Sequence, residues 1–128
     1  MRRSLLVVLG AAILAGSSAA AHHSFATYYY EDRSTSIEGE VVEFAYVAPH
    51  AWVYLTVADA DGVTQRFSAE WANPTRLARD GITKETLAPG DRVRITGSPG
   101  RTPAEYKIHL KAIERPADGW KWRQARRR

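Results

Sequence analysis

From residue 36 to residue 116, apolar and polar positions mostly alternate with a period of two, which predicts strands rather than helices. In "SIEGEVVEFAYV" (36–47), Ile37, Gly39 and Val41 alternate with Glu38 and Glu40. The alternation slips at Val41–Val42, and Phe44 and Tyr46 then take up the apolar phase. A slip of one residue is what a β-bulge produces, and Gly39 nearby would ease a sharp bend. "AWVYLTV" (51–57) predicts a second strand with Val53, Leu55 and Val57 on one face and Trp52 and Tyr54 on the other. "ADADG" (58–62) ends in Asp61–Gly62, a hairpin signal. "VTQRFSAEW" (63–71) predicts the third strand, with Val63, Phe67, Ala69 and Trp71 in phase.

The period then changes. "NPTRLARDG" (73–81) carries Asn73 to cap a helix, Pro74 for its first turn, Leu77 to anchor it and Gly81 to stop it. "ITKETL" (82–87) predicts a further turn capped by Thr83. A fourth strand follows at 92–98, with Val93 and Ile95 inward. A fifth spans 106–116, with Tyr106, Ile108 and Leu110 on one face and Lys107, His109 and Lys111 on the other, which places His109 on the surface. Three strands, a helix and two strands, with a long first strand, predict a mainly β, OB-like five-stranded barrel over residues 36–116. Its short helix lies between strands three and four. Closure removes the edges that a small sheet would otherwise expose. An open sandwich is the other arrangement this order allows.

The two ends read differently. Residues 1–21 have Arg2 and Arg3, an apolar run from Leu5 to Ala15 and then small residues, the pattern of a Sec-type signal peptide. The run is shorter than the roughly 20 apolar residues that span a bilayer. The expected location is periplasmic or secreted. Cleavage after Ala21 fits the commoner Ala-x-Ala pattern; cleavage after Ala20 also fits. Residues 22–35 are expected to form an N-terminal arm, with Tyr28, Tyr29 and Tyr30 packing it onto the barrel. Residues 117–128 are expected to form a basic Trp/Arg tail suited to peripheral contact with an anionic membrane.

Composition adds two constraints. The chain has no cysteine, so stability outside the cell must come from a packed core. Its net charge of +4 sits at its ends. Without Arg2, Arg3 and the five basic residues of the last nine, eleven basic side chains face 14 acidic ones. A mildly acidic body and an extracytoplasmic address argue against a nucleic-acid partner.

"AHHSFA", "PHAWVYLTV", "PTRLARDG" followed by "LAPGDRVRITG", and "ERPADGWKW" resemble a family of small secreted bacterial proteins, domain-of-unknown-function family 6152. In that family the residues before strand two usually read Asn-Pro-His; here Ala48 stands in place of the Asn. The resemblance implies a periplasmic, OB-like domain and brings no activity, substrate or catalytic residue with it.

The candidate chemistry lies in the histidines. If His22 becomes the N-terminus, its amine and ring clamp one metal ion, and His23 or His50 supplies a further nitrogen. If Ala21 becomes the N-terminus, its amine, two backbone amides and the ring of His23 form a square-planar set. Both are tetragonal nitrogen sites that favour Cu(II). No serine, cysteine or carboxylate stands in a motif that would activate a nucleophile. The sequence is therefore read as a non-enzymatic periplasmic binding module, with copper as its candidate ligand at His22, His23 and His50. The alternative is a metal-free domain that meets a protein or the envelope through the barrel face and the tail. A copper-dependent oxidoreductase ranks third.

Overall fold

The computed structural model describes residues 25–126. A helical turn (25–28) leads into β1 (Thr35–Ala45), β2 (Trp52–Ala58), β3 (Thr64–Glu70), α1 (Pro74–Arg79), β4 (Arg92–Pro99), β5 (Lys107–Arg115) and β6 (Trp120–Arg123). The sheet order is β3-β2-β1-β4-β5-β6, and β3 also pairs with β5. That pairing is parallel, through Ser68–Lys107, Ala69–Ile108 and Glu70–His109, whereas the other ladders are antiparallel. It closes β1–β5 into an OB-like barrel with α1 between β3 and β4, the architecture that the strand order predicts.

Local chemistry accounts for the elements. The register of β1 against β2 shifts between Val41 and Glu43, where the alternation slips. One strand can therefore serve two ladders, its first half on β4 and its second on β2. Gly62 has a φ of +78° in the hairpin, which glycine adopts without a Cβ penalty. Asp59 Oδ1 completes that turn by accepting from Asp61 N and Val63 N. Asn73 Oδ1 accepts from Thr75 N at 2.8 Å, capping α1. Thr83 and Thr86 knit a turn rather than a second helix.

The core joins Val41, Val53, Leu55, Ala69, Val93, Ile95, Ile108, Leu110 and Ile113 from the strands with Trp71, Leu77, Ile82 and Leu87 from the β3–β4 connection. Burying each such side chain contributes on the order of 1.5–3 kcal/mol.

Four expectations change. Val63 belongs to the turn and is exposed. Tyr106 precedes β5 with a φ of 48° and is exposed, closing a 3₁₀ turn (Pro103–Glu105) instead of facing inward with Ile108. His109 is buried with Ile108 and Leu110, because the arm covers the outer face of β5 at that point. The segment expected as a tail contributes β6, which pairs with Ala112–Arg115 and takes Trp120 and Trp122 against the core.

Two glycines mark places where backbones touch. A Cβ on Gly97 would collide with the His109 carbonyl, and one on Gly39 with the Thr56 carbonyl. Gly97→Ala is therefore expected to cost about 1–3 kcal/mol, the usual range for overpacking. In a domain of this size each kcal/mol lowers Tm by about 4–8 °C. Thermal unfolding by circular dichroism measures this, and an unchanged Tm would contradict the close approach of β4 to β5.

Candidate functional site

His50 sits in the β1–β2 connection, after a cis Ala48–Pro49 bond and one residue before buried Ala51. Ala51 extends the β2–β3 ladder: its N–H donates to Ala72 O and its carbonyl accepts from Trp71 N. The ladder fixes the backbone beside His50 and sets Trp52 opposite Glu70. The His50 ring then reaches Glu70, with Nδ1 2.8 Å from Oε1. Glu70 Oε2 accepts a 2.6 Å bond from the Tyr29 hydroxyl.

A second histidine–carboxylate pair lies alongside. Parallel pairing puts His109 next to Glu70 in the sheet, and His109 Nδ1 is 2.7 Å from Glu31 Oε1. Lys111 Nζ donates to Glu31 Oε2, also at 2.7 Å. Phe25 lies between the two imidazoles. It stacks on His109 with ring centroids 3.9 Å apart and planes 1° from parallel, and its ring is 5.1 Å from that of His50.

The arm is tied down by backbone bonds. Tyr29 bridges to Gly100, Tyr30 N donates to Pro99 O, and Arg101 N donates to Tyr28 O. Arg101 Nε donates to Ala26 O, and its guanidinium lies over Tyr30. Of the three consecutive tyrosines, Tyr29 is the buried one. Arm and β4–β5 loop therefore hold Phe25, Tyr29 and Glu31 over the histidines as a unit.

The electrostatics follow from this packing. Burial raises the Tyr29 pKa well above its ordinary 10.0, reinforced by the bond to Glu70, so the phenol stays a donor. Burial lowers the pKa of His109 below its ordinary 6.5, against the opposing pull of Glu31, and keeps the ring neutral. Burial would raise Glu31, but hydrogen bonds from Lys111 and His109 outweigh it and hold the carboxyl below its ordinary 4.5. A carboxylate only accepts, so Nδ1 of each ring carries the proton and Nε2 of the neutral ring keeps its lone pair.

Of the sequence-predicted metal ligands, His50 is in this cluster, while His22 and His23 lie outside the described residues. Among the described residues, no group of three or more His, Asp or Glu side chains is arranged to hold a metal ion. The cluster adds His109, Glu70, Glu31, Tyr29 and Phe25, none of which sequence reasoning assigned to the site. Glu70 reaches the site through the register of the β2–β3 hairpin, which pairs Ala58 with Thr64 and so sets Glu70 opposite Trp52; a two-residue loop at Asp61–Gly62 would have set Trp71 there. Trp71 is core, and Trp52 and Tyr54 stack on the outside, 6.3 Å apart.

The family model for a family of unknown function, DUF6152, matches residues 11–107. The chain belongs to this family. The matched span of DUF6152 includes His50 and Glu70 and ends at Lys107, so His109 and β6 lie beyond it. No curated protein matches the chain. Among solved structures, the mitochondrial single-stranded DNA binding protein Rim1 of S. cerevisiae is similar at 16% identity, over 73% of this chain and 96% of that one, with a TM-score of 0.48. A small single-stranded DNA-binding protein from Streptomyces coelicolor is similar at 22% identity, over 65% of this chain and 90% of that one, with a TM-score of 0.42. The S. pombe Stn1-ten1 complex is similar at 17% identity, over 67% of this chain and 62% of that one, with a TM-score of 0.46. These likenesses are distant, and what those proteins bind is said of them alone.

They do correct one expectation. The exclusion of nucleic acid as a partner is withdrawn, since similar structures include single-stranded DNA-binding proteins. The charge argument behind it also fails on the fold. It treated the basic residues near the C-terminus as separate from the body, whereas β6 brings Lys121 and Arg123 onto the barrel.

Two outcomes follow. Tyr29→Phe removes a hydroxyl bond to a carboxylate and is expected to cost about 1.5–3 kcal/mol in urea unfolding. A loss near zero would show that Glu70 does not need the phenol. His109 stays neutral in the folded protein at pH values where the unfolded chain already protonates. The unfolded state then binds the extra proton, so stability is full above about pH 6.5 and falls as the pH drops through the lower, folded pKa. His109→Gln is expected to flatten stability against pH in that window, and the native His109 ring to titrate below 6.5 by NMR. A midpoint above 6.5 would refute the assignment.

Proposed function

We propose that this DUF6152 protein is an exported, non-enzymatic binding module that holds Cu(II) with the histidines following its leader and with His50. The observation that carries the reading is Phe25, packed against the His50 ring by an arm pinned to the barrel. His22 and His23 immediately precede it in the chain, separated from it by Ser24. Adjacent Cα atoms are 3.8 Å apart, so His23 can lie no further than about 7.6 Å from Phe25, Cα to Cα. A link this short supports a ligand set that joins His50 to the terminal nitrogens.

The bond to Glu70 supports the same role. A carboxylate on Nδ1 fixes the tautomer of a ligating imidazole and raises its basicity, the usual arrangement behind a metal-bound histidine. His50 is also partly exposed, at 31% of its side chain, whereas His109 is 9% exposed and serves to seat Phe25. Asn in place of Ala48 is not needed to orient His50, because Glu70 already does so.

Both leader cuts yield a nitrogen-rich terminus suited to tetragonal Cu(II). Protein exported to the periplasm, with its N-terminus verified by mass spectrometry, is expected to bind one equivalent of Cu(II). His50→Ala is expected to shift the electron paramagnetic resonance spectrum. Acetylation of the N-terminal amine is expected to weaken binding at least about tenfold, since it removes the amine from the ligand set under either cut. Equal affinity after acetylation would overturn the terminal site, and an unchanged spectrum in His50→Ala would remove His50 from it.

A further inference from the structure

β6 also builds a cleft. β3 pairs with the first residues of β5 and β6 with its last four, and between them, beneath α1, lies a cleft of about 730 Å3. Its apolar lining includes the buried Trp71 and Leu110 and the half-buried Trp122. The Trp122 indole is held in place: Nε1 donates to Asp80 at 2.8 Å, and the ring meets Trp71 edge to face at 5.1 Å. Arg76 of α1, Arg123 of β6 and Arg126 beyond it line the same cleft.

Arg66, Arg92, Arg94 and Arg115 each pair with a carboxylate. The guanidinium groups of Arg76, Arg123 and Arg126 have no carboxylate partner among the described residues. Glu31 is the acidic side chain lining the cleft, and His109 and Lys111 already engage it. Three cations thus face one volume without a counter-charge. Of the nearby acids, Glu114 pairs with Arg94, and Asp80, which holds Trp122 and keeps its charge, does not line the cleft.

We propose that this cleft binds a small, planar oxyanion ligand carrying at least two carboxylate or phosphate groups. Guanidinium forks match the geometry of either group. An indole face accepts a planar ring. The volume falls within the range of pockets that enclose small molecules, about 300–1,000 Å3. His50, a copper ligand in the reading above, also lines this cleft, so the anion site is tested without metal and read at the arginines, which that reading does not use.

The test is isothermal titration with benzene-1,3,5-tricarboxylate in buffer stripped of metal by a chelating resin, with its neutral triamide as control. The trianion is expected to bind and to change the Trp fluorescence, and the triamide to do neither. Arg76→Gln, and the pair Arg123→Gln with Arg126→Gln, are each expected to weaken binding at least about tenfold at unchanged Tm. All are exposed side chains, so the fold should survive their loss. Competition by inorganic phosphate would assign the phosphate form of the ligand, and competition by succinate the carboxylate form. The proposal is overturned if the trianion gives no heat at millimolar concentration, if the triamide binds equally well, or if the arginine variants bind as the parent does. Binding of a dT12 oligonucleotide without binding of the trianion would also overturn it.

Discussion

Three residue pairs between β3 and β5 govern this molecule. Ser68–Lys107, Ala69–Ile108 and Glu70–His109 form its parallel ladder and turn an open meander into a barrel. Without them Ala69 and Ile108, both nearly inaccessible, would flank two open sheet edges. Parallel pairing of segments nearly forty residues apart carries a loop-closure cost, but that cost grows only slowly with loop length. The intervening chain offsets it by delivering Leu77, Ile82 and Leu87 to the core.

The same ladder creates the candidate site. It sets the backbone of His109 beside that of Glu70, two residues that the chain keeps far apart. Their side chains take different partners: Glu70 takes His50 and Tyr29, and His109 takes Glu31. Phe25 then fills the space between the two rings. Each polar group here is bonded to another that the fold brings in from a distance, which is how a low-dielectric environment can hold imidazole, phenol and carboxylate together. The short ladder also leaves the rest of β5 free on that edge. β6 occupies it, and the gap between β3 and β6 becomes the cleft.

Charge shows how far topology can redirect composition. Counted along the chain, the basic residues gather at the end and the body is slightly acidic. Folded, Arg123 and Arg126 share a cleft with Arg76 and Lys111. What matters to a ligand is which charges remain uncompensated in one place, and that depends on strand pairing rather than on net charge.

Most of the fold was legible in the sequence. Period-two patterning located the strands, the slip at Val41–Val42 marked the bulge, and Asn73-Pro74 with Gly81 bounded the helix, because each signal is local and acts through backbone geometry or capping. The site was legible only in part. His50 stood out by its place beside a strand, but alternation put His109 on the surface, since a period of two says which residues share a face and not what covers that face. The arm covers it, through Phe25 and Glu31. β6 was missed for a related reason: four residues rich in Lys, Arg and Trp resemble a solvated tail until β5 offers them an unpaired edge. Local patterning thus determined the elements and their order. Tertiary structure alone decided which polar side chains meet, because those contacts join residues 20 to 80 positions apart.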